Sequence, residues 1–216
     1  MIVLGFCVAM VAVAQFNTVC SSKARHGVVA GRSVYRSKGA GGFGAVSTKG
    51  EGDGGGLVAV RRGLVGRYLG VAYPLGRIVV TSGFGMRWHP VLHRRMWHGG
   101  VDLRARFEEV YSVMDGVVTG VGSDRRAGRY VTVGYAGGYS CSFCHLSRAL
   151  VCKGDSVCAG EVIGISGDSG MASGPHLHLS VRDGAGRCID PLALLEYIGG
   201  VREEVVRELC ELEGRY

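Results

Sequence analysis

From Val71 onward, short β-branched runs alternate with glycine turns, and this rhythm limits the fold more than any other feature of the chain. The runs are Arg77–Thr81, Gly116–Val121, Tyr130–Tyr135, Glu161–Ile165 and Leu177–Val181. Each is too short for a helix of ordinary length, and no long amphipathic stretch separates one from the next. The spacing therefore predicts a mainly β domain over residues 71–194, an antiparallel sandwich or barrel-like sheet, and argues against alternating β and α units. Only the end reads as helical. Val201, Val205, Leu209 and Leu212 fall on one stripe among Arg202, Glu203, Glu204 and Glu208, which predicts a short amphipathic helix over residues 195–216 packed on the β domain.

Ahead of Val71 the texture differs. The chain of 216 residues carries a formal charge of +7. Residues 1–70 hold nine Lys and Arg against two Asp and Glu, whereas the rest holds sixteen of each. All of the excess charge therefore precedes the β domain, which excludes a basic nucleic-acid-binding fold spread over the whole chain and predicts no specific nucleic-acid partner. Ile2 to Ala14 is almost continuously apolar, shorter than a spanning helix requires, and Ala12-Val13-Ala14 supplies a small-x-small cleavage signature. Residues 1–22 are expected to be a signal peptide or membrane-anchor-like segment, and the protein to be exported to the cell envelope or periplasm. Residues 23–70 are basic and glycine-rich, which predicts a flexible linker, with residues 23–67 in electrostatic contact with anionic envelope polymers. Gly39 to Gly44 matches G-x-G-x-x-G, but no strand precedes it and no amphipathic helix follows, so the linker reading stands.

Six of the seven histidines lie in the neutral part of the chain. In Gly174-Pro175-His176-Leu177-His178 an extended backbone turns both imidazoles to one face and Leu177 to the other. His98 and Asp102 are four apart, an even separation that also permits one face. Two imidazoles and a carboxylate make a three-ligand zinc set that leaves a fourth position open for water. Such a site makes hydroxide available near neutral pH.

The stretch Thr81-Ser82-Gly83-Phe84-Gly85-Met86-Arg87-Trp88-His89-Pro90 opens a series of family-like motifs. It is followed by His98-x-Gly-x-Asp102, His145-Leu146-Ser147, Gly154 to Gly160, and Gly174-Pro175-His176-Leu177-His178. Together, over residues 74–194, they resemble the LytM/lysostaphin-type zinc endopeptidases of peptidase family M23. Asp190-Pro191 resembles the family's closing motif. The resemblance implies that His98, Asp102 and His178 are the ligands of a Zn2+ ion and that His145 and His176 are catalytic. One of this pair would take a proton from the metal-activated water, and the two would then stabilise the intermediate and protonate the leaving amine. It implies a zinc metalloendopeptidase acting on peptidoglycan peptides, in cross-links or stems, with Arg87 and His89 as supporting residues. The alternative is a non-catalytic binding or activator module of the same fold. Phe143 stands where the family has a tyrosine, so a hydroxyl that could bind substrate is expected to be missing, and Leu179 replaces a common aromatic.

The eight cysteines are Cys7, Cys20, Cys141, Cys144, Cys152, Cys158, Cys188 and Cys210. Free or partly paired thiols are expected first and disulfides second. A cysteine-bound zinc built on Cys141-x-x-Cys144 with Cys152 and Cys158 comes a distant third.

Overall fold

The computed structural model describes residues 54–89 and 93–214. The expected leader, residues 1–22, and most of the expected linker lie outside the described residues. Among the described residues, thirteen strands and two α-helices appear in this order, with a short 3-10 turn (Ala136–Gly138) between β7 and β8: α1 (Gly54–Leu69), β1 (Val80–Ser82), β2 (Gly85–His89), β3 (Arg94–His98), β4 (Val101–Arg104), β5 (Glu109–Tyr111), β6 (Gly116–Asp124), β7 (Gly128–Tyr135), β8 (Ser140–Leu146), β9 (Arg148–Ala149), β10 (Ser156–Val157), β11 (Val162–Ile165), β12 (His176–Arg182), β13 (Cys188–Ile189) and α2 (Pro191–Leu212). The protein is mainly β, as the glycine-punctuated runs predict.

The main sheet runs β1-β4-β12-β8-β7-β6-β10, with β13 pairing β12 at its far end. Its pairings are antiparallel throughout. Alternation along the central strands separates two faces. Val101 and Leu103, Leu177, Leu179 and Val181, Cys141 and Phe143, and Val131 and Val133 are all buried in one core cluster. The residues between them on the same strands, Asp102, Arg104, His176, His178, Ser180, Ser142 and Cys144, line a cleft on the opposite face. A three-stranded sheet, β5-β11-β9, adds Val110 and Ile163 to the core, and the β2–β3 hairpin forms a separate flap of two strands.

Phe143 is fully buried in this core, on the face turned away from the cleft. The position thus serves packing, and the hydroxyl that the family's tyrosine would bring there is not subtracted from the cleft's lining.

Two boundaries differ from those expected. The terminal helix starts at Pro191, not at residue 195. The Asp190 side chain caps it by accepting from the Leu192 N–H at 3.0 Å, and Pro191 occupies the first helical position, where its missing N–H costs nothing. The helix is anchored by Leu194, Leu195, Ile198 and Val205, so the buried stripe begins earlier than the one read from Val201 onward.

The second correction concerns residues 54–69, expected to be flexible linker but helical in α1. Glycine content suggested a tether, yet Leu64 is buried and Tyr68 faces α2, where the Arg202 guanidinium lies 4.2 Å from its ring centroid. Arg202 also donates to the Val71 carbonyl at 3.5 Å. Tertiary contact outweighs the weak local helix preference. Leu64→Ala should lower stability by about 2 kcal/mol, read as a shifted urea midpoint, and raise amide exchange across 54–69. An unchanged midpoint would mean that α1 is not docked.

Candidate metal centre and active site

Register builds the site. β12 lies between β4 and β8, so that His178 stands opposite Asp102 on one side and Cys144 on the other. His176 stands opposite Arg104. His98, at the end of β3, reaches the same point from the flap. All five residues expected to carry the chemistry, His98, Asp102, His145, His176 and His178, line one cleft of about 1300 Å³.

His98, Asp102 and His178 each offer one ligand atom, and these atoms lie within 4.8 Å of one another. His98 Nε2 is 3.1 Å from Asp102 Oδ1 and 3.1 Å from His178 Nδ1, and His178 Nδ1 is 2.8 Å from Asp102 Oδ1. His98 Nδ1–H donates to the Gly83 carbonyl at 2.6 Å, which directs Nε2 at this point. Three such atoms repel unless a proton or cation lies among them. Their spacing is close to the edge of a tetrahedron, about 3.3 Å, formed by ligands about 2.05 Å from a central ion. The donor set therefore fits a metal ion. Arg87 Nη2 approaches the other carboxylate oxygen, Oδ2, at 3.4 Å, so Oδ1 is left to the cluster. Burial pushes the Asp102 carboxyl up, but hydrogen bonds from His178 and His98, together with their charges, outweigh it and hold it well below the usual carboxylate range.

His145 and His176 flank the cluster with ring centroids 4.7 Å apart, and His145 is 5.8 Å from the His178 ring. Strict alternation would turn His145 into the core, since Cys144 already faces the cleft. Its φ of +60° prevents this, placing Cys144 and His145 on the cleft side in succession before Leu146 returns to the core. The left-handed conformation costs a non-glycine residue about 1–2 kcal/mol and is held by its neighbours. The His145 N–H donates to the Ala127 carbonyl at 2.8 Å, and Nδ1–H donates to the Ser169 carbonyl at 2.8 Å. Ser169 is held in turn, since its Oγ donates to the Leu146 carbonyl and accepts from the Arg129 N–H. His176 Nδ1–H donates to the Gly174 carbonyl at 2.8 Å. In both rings Nε2 is thereby the basic nitrogen.

Sequence reasoning missed Ser169 and placed Gly100 in the His98-x-Gly-x-Asp102 motif without a role of its own. Ser169 acts through backbone contacts, for which a lone serine carries no signal. A Cβ on Gly100 would run into the Leu179 carbonyl oxygen and lie 2.8 Å from His178 Nε2. Arg87 is at the cluster, as the resemblance implied, while the side chain of His89 lies outside the described ones.

Cysteine ligation fails on geometry. Cys141 and Cys144 point to opposite faces of β8, one into the core and one into the cleft, so they cannot converge on one ion. Cys141, Cys144, Cys152, Cys188 and Cys210 are free thiols. Burial, with a smaller contribution from the Asp124 charge, pushes Cys144 up to about 12, and burial raises Cys141 further, so neither is a thiolate near neutral pH.

The family model for peptidase family M23 matches residues 96–191. The chain carries an M23 peptidase domain. It is 41% identical over 101 residues to the peptidoglycan DD-endopeptidase ShyA of Vibrio cholerae, covering 46% of this chain and 24% of that protein. It is 36% identical over 122 residues to the DD-carboxypeptidase/endopeptidase Mpg of Neisseria meningitidis, covering 56% and 28%. The match thus spans about a quarter of the length of these curated relatives. Among solved structures, the catalytic domain of the antimicrobial peptidase lysostaphin from Staphylococcus simulans superposes with a TM-score of 0.51 at 26% identity, covering 55% of this chain and 92% of that one.

Gly100→Ala should destabilise the protein by about 1–3 kcal/mol and displace His178, seen as a lower melting temperature and weakened metal binding. Burial lowers the His145 pKa, only partly offset by its hydrogen bond to Ser169, so the ring should titrate below 6.5. Between pH 6.5 and that lower midpoint the unfolded chain binds a proton that the folded one does not, so stability should fall as pH drops through this window. An NMR titration of the ring carbons checks the midpoint, and a value above 6.5 would contradict the burial argument.

Proposed function

We propose that this protein is an exported zinc metalloendopeptidase that hydrolyses peptide bonds in peptidoglycan, with His98, Asp102 and His178 holding the ion. The observation that carries the reading is the pairing of a three-donor cluster with two further imidazoles, each tied at Nδ1 to a backbone carbonyl and basic at Nε2. A zinc ion held there supplies Lewis-acid polarisation of the scissile carbonyl and lowers the pKa of water. The chain's own groups do the rest. One of His145 and His176 accepts the proton of the attacking water at Nε2. The pair then stabilises charge on the carbonyl oxygen and returns a proton to the departing amine. Gly83, Gly174 and Ser169 hold three of the imidazoles by their carbonyls, so none of these rings must be ordered when substrate binds.

Support for peptidoglycan as the substrate comes from the names of the relatives. Among the described residues no helix is long and apolar enough to cross a membrane, and export rests on residues 1–22. Contact of the basic segment 23–67 with anionic envelope polymers belongs to the same proposal.

Asp102→Ala should abolish both stoichiometric zinc, measured by plasma mass spectrometry, and release of fragments from purified peptidoglycan. His145→Ala should retain zinc and slow hydrolysis about 10²- to 10⁴-fold. A chain that binds no zinc, or whose hydrolysis survives Asp102→Ala, would instead be the non-catalytic module of the same fold. Because metal ligands must be deprotonated, hydrolysis should be largely lost by about pH 4. Full turnover there would rule out the histidine roles.

A further inference from the structure

The cleft is cationic in its unspent charges. Its acidic lining residues are Asp102 and Asp124. Asp102 is engaged by His98, His178 and Arg87, and Asp124 Oδ1 accepts from the N–H groups of Arg126 and Ala127 at 2.7 Å each, closing the β6–β7 turn. Four arginines, Arg87, Arg104, Arg126 and Arg182, line the same space. Arg87 donates to Asp102 and Arg182 to the Gly186 carbonyl at 2.9 Å. The guanidinium groups of Arg104 and Arg126 make no hydrogen bond or ion pair with any described residue.

Arg104 has the more telling position. It is the cross-strand partner of His176 and lies two residues beyond Asp102, so β-sheet alternation puts its side chain on the cleft face beside the metal-binding cluster. Directly opposed residues have Cβ atoms about 5 Å apart, which places the guanidinium within reach of a peptide held over His176. It is exposed, and among the described residues no carboxylate competes for it. The planar fork of a guanidinium matches a carboxylate in two parallel hydrogen bonds.

We propose that Arg104 is a specificity-determining residue that pairs with a free carboxylate of an acidic peptide, next to the bond presented to His145 and His176. This rests on the peptidase reading above and narrows it to stem peptides whose side carboxylates are not amidated. Arg126, on the β6–β7 turn, adds to the field that draws such a peptide into the cleft.

The test uses a synthetic cross-linked muropeptide with free carboxylates on its glutamate and diaminopimelate residues, and the same compound with those groups converted to carboxamides. Kd is measured by calorimetry on the full chain in EDTA, and kcat/KM on the zinc-loaded chain. The wild type should favour the carboxylate form roughly tenfold to a hundredfold in Kd. Arg104→Ala should bring the two forms within about twofold of each other, and Arg104→Lys should recover part of the preference, since it restores charge without the fork. Equal binding of both forms by the wild type, or full discrimination retained by Arg104→Ala, would overturn the assignment. Preferential binding without hydrolysis would leave Arg104 assigned and sink the peptidase reading alone.

Discussion

The position of β12 between β4 and β8 is the constraint on which the rest of the site depends. Side chains alternate with a period of two, so a slip of one residue in either pairing would send His176 and His178 into the core and bring Leu177 and Leu179 into the cleft. The register is held from the hydrophobic side. Leu177 and Leu179 pack fully buried against Val101, Leu103 and Phe143, and any slip would exchange that burial for buried imidazoles. The same alternation that forms the core therefore places the polar atoms, and core packing and site geometry are two faces of one sheet.

The alternation is broken at one residue, and the break is functional in form. His145 follows Cys144, which already faces the cleft, and only a left-handed backbone lets a second consecutive side chain join it. A conformation that costs about 1–2 kcal/mol needs support. The Ala127 and Ser169 carbonyls provide it, and Ser169 is itself bonded to Leu146 and Arg129. Gly128 and Gly170, both at positive φ, let the two loops approach so closely that a side chain on either would strike the other's backbone. The imidazole is aimed by a small scaffold of loop backbone, which makes its orientation a property of the folded chain before any substrate arrives.

What could be read in the sequence follows from how each feature is encoded. The spacing of His176 and His178 is local and periodic, so the face they share was legible, as was the antiparallel β class, whereas His98 and Asp102 lie on separate strands, β3 and β4, and meet across the turn between them and not on one face. The approach of the two pairs was not encoded by spacing; it came with the resemblance and depends on the 76-residue separation of Asp102 from His178. Helix α1 was misread because glycines at 54–56 and 63 signal a tether locally, while Leu64 and Tyr68 act only once α2 is present. The Cys141-x-x-Cys144 pair is the converse case, a metal motif that a strand cannot express because its odd spacing splits the thiols between opposite faces.

Charge is a further case in which location matters more than total. The domain's acids and bases balance, and a net count would predict no preference among substrates. Within the cleft, however, the carboxylates are already committed to holding imidazoles and closing a turn, whereas two guanidiniums are not. Balance over the surface and imbalance in the cleft are compatible because short-range pairing, and not the sum, decides which charges remain available to a ligand. A neutral domain can in this way present a cationic site.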